Sequence, residues 1–172
     1  DILIKLKEVY NFLQRTPIKV EFKKYGLPSC ATFNRYYGGY SNACNLVGIP
    51  VNTINIFTKL PTTTIFFSKS NDICFSASEV IISDFLYDNN ILYKKERYYN
   101  ELTDDKRCRN LRLDWLLFDG TIVEFFGLNT EKYKHKEKIK IDICKDNHLS
   151  MIVMHEKDLN KLNIVFKKYL LI

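Results

Sequence analysis

The chain has 172 residues, of which 46% are hydrophobic and 14% aromatic, and its formal net charge is +6 at pH 7. This composition is typical of a globular protein and excludes a largely disordered chain. No run approaches about 18 consecutive apolar residues, so the sequence predicts no transmembrane helix and no membrane partner. Residues 1–75 hold nine Lys and Arg against four Asp and Glu, whereas residues 76–172 hold 17 against 16. A basic first part favours an electrostatic contact with nucleic acid.

The five cysteines and three histidines are scattered along the chain. No pair of them has C-x-x-C spacing or the Cys/His spacing of a zinc site. The first residues also lack the layout of a signal peptide. We therefore expect reduced thiols and a cytoplasmic protein, and we expect no nuclease site built on histidine.

Short helices are predicted throughout the first 50 residues. Apolar residues recur at helical spacing over 2–14, and further helices are expected at 18–25, 29–37 and 41–48. Ser29 is a predicted N-cap, and glycines follow the last three helices. Short helices joined by tight turns are typical of helix-turn-helix modules.

This segment resembles the helical repeat found beside the nuclease domains of many phage and bacterial homing endonucleases. The resemblance covers nearly all of 2–50 and rests on Pro17, Gly26, Leu27, Pro28, Ser29, Thr32, Phe33, Arg35, Tyr37, Gly38, Tyr40, Ala43, Gly48 and Ile49. It departs from the family at Gly39 and Tyr40, where Ser-Trp is usual. The resemblance implies that 1–50 is a DNA-binding repeat in a protein of a bacterial or phage-infected cell.

The helix over 29–37 is the part of this repeat that we expect to contact double-stranded DNA. Its expected inner side consists of Cys30, Phe33, Asn34 and Tyr37. Its start and outer side consist of Ser29, Thr32, Arg35 and Tyr36. Arg, Thr and Tyr suit contacts with phosphates and base edges. The alternative is an ordinary solvated helix face.

Residues 51–75 are rich in Thr and Asn and contain Pro61. We interpret them as a linker with extended pieces, in which the apolar run 65–67 packs against the protein. The composition changes near residue 76, where we place the boundary of a second domain, 76–172.

The second domain is predicted to have the order α-β-β-β-α-β-α. Ser76 and Glu79 have the spacing of a capping box and should open its first helix. The predicted elements are a helix to about residue 88, a strand over 91–99, a hairpin over 111–127, a helix over 130–147, a strand over 149–154 and a helix over 156–170.

The hairpin carries the most informative pair of residues, Asp114 and Glu124. Asp119-Gly120 between two apolar runs is a strong hairpin signal. A three-residue loop over 118–120, with Gly120 left-handed, would put Asp114 directly opposite Glu124 on one face. A two-residue loop would shift the register and place the carboxylates on different faces, leaving one of them an ordinary solvated residue.

Two carboxylates this close in an apolar sheet repel each other and are costly to desolvate. A divalent cation would relieve both costs. Mg²⁺, with Mn²⁺ as its substitute, suits such a site, because Mg²⁺ usually takes one or two carboxylates and completes its sphere with water and phosphate. The pair therefore points to a metal-dependent phosphodiester-cleaving site.

The predicted order of elements, with an acidic residue on the first helix and Asp and Glu on the second and third strands, resembles the PD-(D/E)XK nuclease superfamily, in particular its very-short-patch-repair branch. The resemblance covers 76–172. It implies an α/β (α+β) chain in which a small helical repeat precedes a restriction-endonuclease-like αβββαβα domain. It also implies that Asp114, Glu124 and Glu79 are metal ligands and catalytic residues. We expect Asp84, by contrast, at the surface.

One departure concerns the family's lysine two residues after the Glu, because Phe126 stands there. The helix after the hairpin offers replacements. Lys136 and Lys140 share a helix face, and we favour Lys136, with Lys140 second. A solvated basic face is the alternative. Two arginines before the hairpin, Arg109 and Arg112, are candidates for clamping DNA phosphates.

These features predict a site-specific, metal-dependent DNA endonuclease of homing type. Phe126 favours an alternative, a DNA-binding protein whose nuclease domain is inactive, and a restriction or repair nuclease is a third reading. One nuclease centre cuts one strand at a time, so cleavage of both strands would require a homodimer or sequential nicking.

Overall fold

The computed structural model describes residues 1–51 and 65–170. The chain divides into two compact units, residues 1–84 and 85–172, which we call the N-terminal unit and the C-terminal unit. The architecture is a mixture of α-helices and two β-sheets. Within the two described ranges, no helix combines the length and the apolar character needed to cross a bilayer.

Helix α1 spans Ile2–Leu13 and confirms the predicted apolar stripe. The Asp1 side chain caps it by accepting a hydrogen bond from the Leu3 N–H at 3.0 Å. Leu6, Val9 and Leu13 are buried because they recur at helical spacing on one side.

The predicted helix over 18–25 is wrong, because only a 3₁₀ turn forms at Lys19–Glu21. Its hydrogen bonds join residues three apart, such as the Phe22 N–H and the Lys19 carbonyl at 3.3 Å. The Glu21 carboxylate accepts a hydrogen bond from the Ile18 N–H at 3.0 Å, which caps the start of this turn. The chain then turns at Gly26, whose φ is +70°.

Helix α2 (Cys30–Tyr37) and helix α3 (Tyr40–Leu46) complete the repeat. As predicted, Ser29 caps α2, and Gly38 ends it in the left-handed conformation. Helix α3 begins one residue before the predicted Ser41, because Gly39 is its N-cap. The core shared by these helices contains Leu6, Val9, Leu13, Phe22, Leu27, Phe33, Ala43, Cys44 and Ile49.

A short hairpin precedes helix α4 in the chain. Strands β1 (Phe66–Phe67) and β2 (Ile73–Cys74) pair antiparallel, and Ile65 is fully buried, which confirms that this apolar run packs against the protein. The rest of the predicted linker, including Pro61, lies outside the described residues. Helix α4 spans Ala77–Asp88, and the division between the two units falls inside it. That 76–172 forms a domain of its own stays a prediction.

The C-terminal unit is built on a four-stranded sheet of order β3-β4-β5-β6. The strands are β3 (Tyr93–Lys95), β4 (Trp115–Leu117), β5 (Ile122–Phe125) and β6 (Met151–Met154). Neighbours are antiparallel except β5 and β6, which are parallel. A parallel pair needs a crossover, and helix α5 (Glu131–Asp146) provides it. The predicted order of elements is confirmed as far as β6.

Two predicted elements of this unit differ in extent. Strand β3 is shorter than 91–99 because Glu96 has a φ of +56°, which is incompatible with a continuing strand. The last helix, predicted over 156–170, is wrong as a single element. The chain forms a 3₁₀ segment at Glu156–Lys161, helix α6 at Leu162–Val165 and a 3₁₀ turn at Lys167–Tyr169. Burial of Leu162 and Phe166 holds these short pieces in place.

Candidate functional site

The β4–β5 hairpin has the register predicted from a three-residue loop. Trp115 pairs with Val123 and Leu116 with Ile122, and the Leu117 N–H donates to the Thr121 carbonyl at 2.9 Å. Gly120 has a φ of +84°, the left-handed conformation that this loop requires. The two-residue loop, which would have separated the carboxylates, is therefore excluded.

The same register, continued by one residue, places Asp114 opposite Glu124. Asp114 lies just before β4, and its Oδ2 accepts a hydrogen bond from the Phe125 N–H at 2.8 Å. This bond fastens the Asp114 carboxylate to the strand that carries Glu124. The hairpin thus brings two acidic side chains together at one end of its strands.

Glu124 is buried, with 1% of its surface exposed. Its Oε1 accepts a hydrogen bond from the Tyr99 hydroxyl at 2.8 Å. The Lys140 ammonium donates to Oε1 at 2.7 Å and to Oε2 at 2.6 Å. Lys140 is itself only 5% exposed, so the two charges compensate each other inside the protein.

Burial, and next the charge of Asp114, raise the pKa of Glu124, although Lys140 and Tyr99 act in the opposite direction. Burial, together with the charge of Glu124, also raises the pKa of the Tyr99 hydroxyl, which therefore stays a hydrogen-bond donor. A carboxyl with a strongly raised pKa beside a specific charged partner is a common feature of functional sites.

The Lys140 ammonium lies over two aromatic rings. It is 5.6 Å from the centre of the Tyr99 ring and 5.8 Å from the centre of the Phe126 ring, within the range of cation–π attraction. Phe126 is therefore close to the ammonium group of a lysine from helix α5.

Of the two predicted lysines, Lys140 is the one that contacts Glu124, whereas the favoured Lys136 is exposed. The phase of helix α5 explains this difference. Its buried residues are Lys140, Ile143 and Cys144, and Lys140 precedes the other two at the helical spacings of three and four residues. The apolar pattern at the end of the helix would have selected Lys140.

Glu79 lies in the N-terminal unit, where it caps helix α4. Its N–H donates to the Ser76 hydroxyl oxygen at 3.1 Å, and its carboxylate accepts hydrogen bonds from the Phe75 N–H at 3.1 Å and the Ser76 hydroxyl at 3.2 Å, so Ser76 and Glu79 cap the helix as predicted. Across residues 1–51 and 65–170, no three side chains of His, Cys, Asp and Glu form a group that could hold a metal ion. A role for Glu79 as a third metal ligand stays a prediction.

The start and outer side of α2 carry the residues predicted to contact DNA. Ser29 and Thr32 are tied together, since the Ser29 hydroxyl accepts the Thr32 N–H at 3.4 Å. Arg35 and Tyr36 are exposed, with the guanidinium 5.5 Å from the centre of the Tyr36 ring. The expected burial of Asn34 is wrong, because Asn34 is exposed.

The two arginines before the hairpin are both exposed. Arg112 donates to the Tyr98 hydroxyl at 2.9 Å and pairs with Glu96 at 3.5 Å. Arg109 directly follows a 3₁₀ turn at Lys106–Cys108. A phosphate contact by either arginine stays a prediction.

The sequence reasoning missed a buried charge network in the N-terminal unit. Asp84, expected at the surface, is only 7% exposed, so that expectation is wrong. Arg15 donates to Asp84 at 2.6 Å and to Glu21 at 2.7 Å, and the Lys69 N–H donates to Asp84 at 2.8 Å. Burial raises the pKa of Asp84, against the opposing effect of Arg15. The partners are far apart in sequence, so no local pattern could have identified them.

Tyr99 was also missed, because it is 25 residues away from Glu124 in the sequence and no local pattern connects them.

Comparison with known proteins adds one finding: the family model of the homing endonuclease associated repeat matches residues 1–50. None of the curated proteins and none of the solved structures that were compared matches the chain. In its first 50 residues, the chain is therefore similar to a repeat that accompanies homing endonucleases.

Proposed function

We propose that the protein is a DNA endonuclease of homing type, in which the repeat binds double-stranded DNA and the C-terminal unit hydrolyses a phosphodiester bond. The match of residues 1–50 to the homing endonuclease associated repeat supports the DNA-binding part. The basic character of residues 1–75 supports it independently.

The observation that carries the nuclease part is the cluster of Asp114, Glu124 and Lys140. Burying a charged group costs on the order of several kcal/mol per ion. Well-packed apolar residues often replace a buried ion pair without loss of stability. A fold does not need such a cluster at this point of a sheet. Two carboxylates and a lysine are, however, the groups that hydrolysis of a phosphodiester requires.

The oxygen atoms of Asp114 and Glu124 are the type of ligand that Mg²⁺ prefers. Asp114 and Glu124 supply hard oxygen atoms from two carboxylates, which is the number that Mg²⁺ usually takes from a protein. In this proposal, the two side chains hold the ion, with Mn²⁺ as its substitute. The bound ion supplies polarisation of the phosphate and a lowered pKa of a water molecule.

In this proposal, Lys140 supplies the positive charge that PD-(D/E)XK nucleases carry on a lysine two residues after their catalytic Glu. A water oxygen attacks the phosphorus atom while the bond to the leaving oxygen breaks, and negative charge accumulates on the phosphate. A fixed ammonium stabilises that charge without rearranging. Tyr99 keeps the Glu124 carboxylate in one orientation through its hydroxyl. The surrounding aromatic rings exclude bulk water, so each charge acts more strongly.

The test is nicking of supercoiled plasmid by the full chain in Mg²⁺. We expect Asp114→Asn and Lys140→Ala to reduce the cleavage rate by a factor of about 100 or more, the usual loss when a group that stabilises transition-state charge is removed. Binding to duplex DNA should change little. Lys138→Ala is the matched control, because Lys138 is exposed on the same helix. Undiminished cleavage by Lys140→Ala would exclude Lys140 from the reaction.

A second function, DNA binding without cleavage, is favoured by one observation. Glu124 is almost fully buried and both of its oxygen atoms already accept hydrogen bonds. In that case Lys140 takes the place of the cation that the two carboxylates require. Wild-type protein that binds a duplex but cuts no DNA in Mg²⁺ or Mn²⁺ would establish this second function.

A homodimer belongs to the same proposal, because one centre cuts one strand at a time. Light scattering of the complex with a duplex would give the number of protein chains bound.

A further inference from the structure

We propose that Asn34 on helix α2 recognises an adenine in the major groove of duplex DNA. The proposal rests on DNA binding by the repeat, proposed above, and adds a residue that determines which sequence is bound. Asn34 was expected on the inner side of α2, but it is exposed. This exposure changes which polar groups the helix can offer to a ligand.

The segment that contains α2 has an uneven balance of charge. Residues 22–71 contain no Asp or Glu. The acidic residue before them, Glu21, already accepts two hydrogen bonds from the buried Arg15. The exposed cations between the start of the 3₁₀ turn and the end of α2 are Lys19, Lys23, Lys24 and Arg35. None of them forms an ion pair with any residue that the structure describes. Unpaired cations in a segment without carboxylates attract a polyanion.

Asn34 carries an amide that the protein itself does not use. The Ser29 and Thr32 hydroxyls lie 3.2 Å apart and bond each other. The Asn34 amide, by contrast, forms no hydrogen bond within the described part of the chain. An amide has one acceptor oxygen and two N–H donors. All of them are available to a ligand.

The surroundings of Asn34 allow a large ligand to come close. Its neighbours along the helix are Ala31, three residues before, and Gly38, four residues after, and both are exposed and small. The next residue, Gly39, also lacks a side chain. A Cβ at Gly39 would lie 3.6 Å from Oδ1 of Asn34, so the glycine leaves this side of the amide uncovered. The amide can therefore approach a base edge without obstruction by these neighbours.

The edge of an adenine matches this amide. In the major groove adenine presents the N7 acceptor beside the N6 amino donor, and asparagine binds both at once. Nδ2 of Asn34 would donate to N7, and Oδ1 would accept from N6. A phosphate has only acceptor oxygens, so it would leave Oδ1 without a partner. The minor groove distinguishes A·T from T·A poorly, whereas the major groove distinguishes all four base pairs and is wide enough for an α-helix.

Selection of bound duplexes from a random-sequence library tests this proposal, with the full chain and with EDTA in place of Mg²⁺. We expect the wild type to enrich an adenine at one position, and Asn34→Ala to lose the preference at that position alone. On the selected duplex, Asn34→Ala should weaken binding about tenfold or more, the loss expected for one bidentate base contact. The fold should tolerate this change, because the side chain is exposed and alanine favours a helix.

Asn11→Ala is the matched control, because Asn11 is exposed on helix α1, and it should keep the wild-type preference and affinity. A modified duplex then identifies the atoms involved. Replacing the selected adenine by 7-deazaadenine removes N7 and leaves the base pair intact. The wild type should bind this duplex about tenfold more weakly. Asn34→Ala should bind both duplexes equally, because the contact is already absent.

An unchanged base preference in Asn34→Ala, or a loss of affinity no larger than that of Asn11→Ala, would overturn the proposal. An equal effect of 7-deazaadenine on the wild type and on Asn34→Ala would overturn it too. The wild type separates this proposal from the one on which it rests. Salt-dependent binding to duplex DNA without enrichment of any base would refute only recognition by Asn34. Absence of binding to any duplex would refute DNA binding by the repeat as well.

Discussion

At the scale of single residues, the candidate site depends on how the Glu124 carboxylate is compensated. The sequence supplied the two acidic residues and the reason to pair them, because a hairpin with Asp-Gly at its turn has a register that follows from local chemistry. It did not supply Tyr99 or the preferred lysine. Both reach Glu124 through tertiary packing, from 25 and 16 residues away along the chain.

The Tyr99 hydroxyl should make a measurable contribution of its own. Tyr99→Phe removes one hydrogen bond to the buried carboxylate of Glu124. We expect this substitution to lower the free energy of unfolding by about 1.5–3 kcal/mol. Tyr133→Phe, at an exposed tyrosine of helix α5, should change it by less than about 0.5 kcal/mol. Urea unfolding of the three proteins measures both. Equal stability of Tyr99→Phe and Tyr133→Phe would mean that the Tyr99 bond contributes nothing net.

At the scale of elements, local signals predicted best those elements that local interactions determine. The Asp1 and Ser29 caps, the apolar stripe of α1 and the β4–β5 turn all lie within a few residues of the structure they specify. The short strand β3 and the broken last helix were not predictable in this way. The left-handed Glu96 and the separate burial of Leu162 and Phe166 depend on contacts between distant segments.

The network of Arg15, Glu21 and Asp84 joins three segments of the N-terminal unit, and it should be essential to that unit. Arg15→Met leaves two carboxylates without their shared partner in a buried position. We expect it to cost about 3–5 kcal/mol, the usual penalty for breaking a buried ion pair from one side.

Arg97→Met is the control for this substitution, because its pair with Glu101 lies at the surface and joins residues four apart in the sequence. Exposed pairs of that kind contribute about 0.2–1 kcal/mol. Thermal unfolding followed by circular dichroism compares the two variants. An Arg15→Met protein as stable as Arg97→Met would show that the two carboxylates find other compensation.

The tip of the β4–β5 hairpin provides a prediction about pH. Partial burial raises the pKa of Asp119, but hydrogen bonds from Thr121, Lys168 and Tyr169 outweigh it and lower the pKa to about 2. The unfolded value is about 3.9. The folded state therefore favours the ionised form, so this contribution is complete above the unfolded pKa and is lost as the pH falls towards 2.

The side chain of Asp119 is 38% exposed, so we expect only a small effect on overall stability. Carboxyl signals in nuclear magnetic resonance should give Asp119 a midpoint near 2, well below the unfolded value of about 3.9. Asp119→Asn should make the loss of melting temperature between about pH 4 and pH 2 slightly smaller. A midpoint for Asp119 at the ordinary value would exclude the stabilising role of these hydrogen bonds.

At the scale of the whole molecule, the distribution of charge is consistent with DNA binding by the first part of the chain and DNA cleavage by the second. The excess of positive charge lies in residues 1–75, whereas the candidate catalytic groups lie in a part that is nearly neutral. A neutral part gains little affinity for DNA from its net charge. The affinity of the full chain should therefore come mainly from the repeat.

Arg35 tests this division, because it is exposed on α2 and stacks on the exposed Tyr36. If Arg35 reads a guanine edge, Arg35→Ala should cost about 1–3 kcal/mol of binding free energy, concentrated at one base position. If it contacts only phosphate, the loss should be uniform across sequences, and the slope of log K against log salt should fall by about one. Fluorescence anisotropy with a set of duplexes at several salt concentrations distinguishes these outcomes. Arg97→Ala, an exposed arginine of the C-terminal unit, should leave the slope nearly unchanged. If Arg97→Ala instead lowers the slope and Arg35→Ala does not, DNA is bound mainly by the C-terminal unit, and the repeat does not have the role proposed for it.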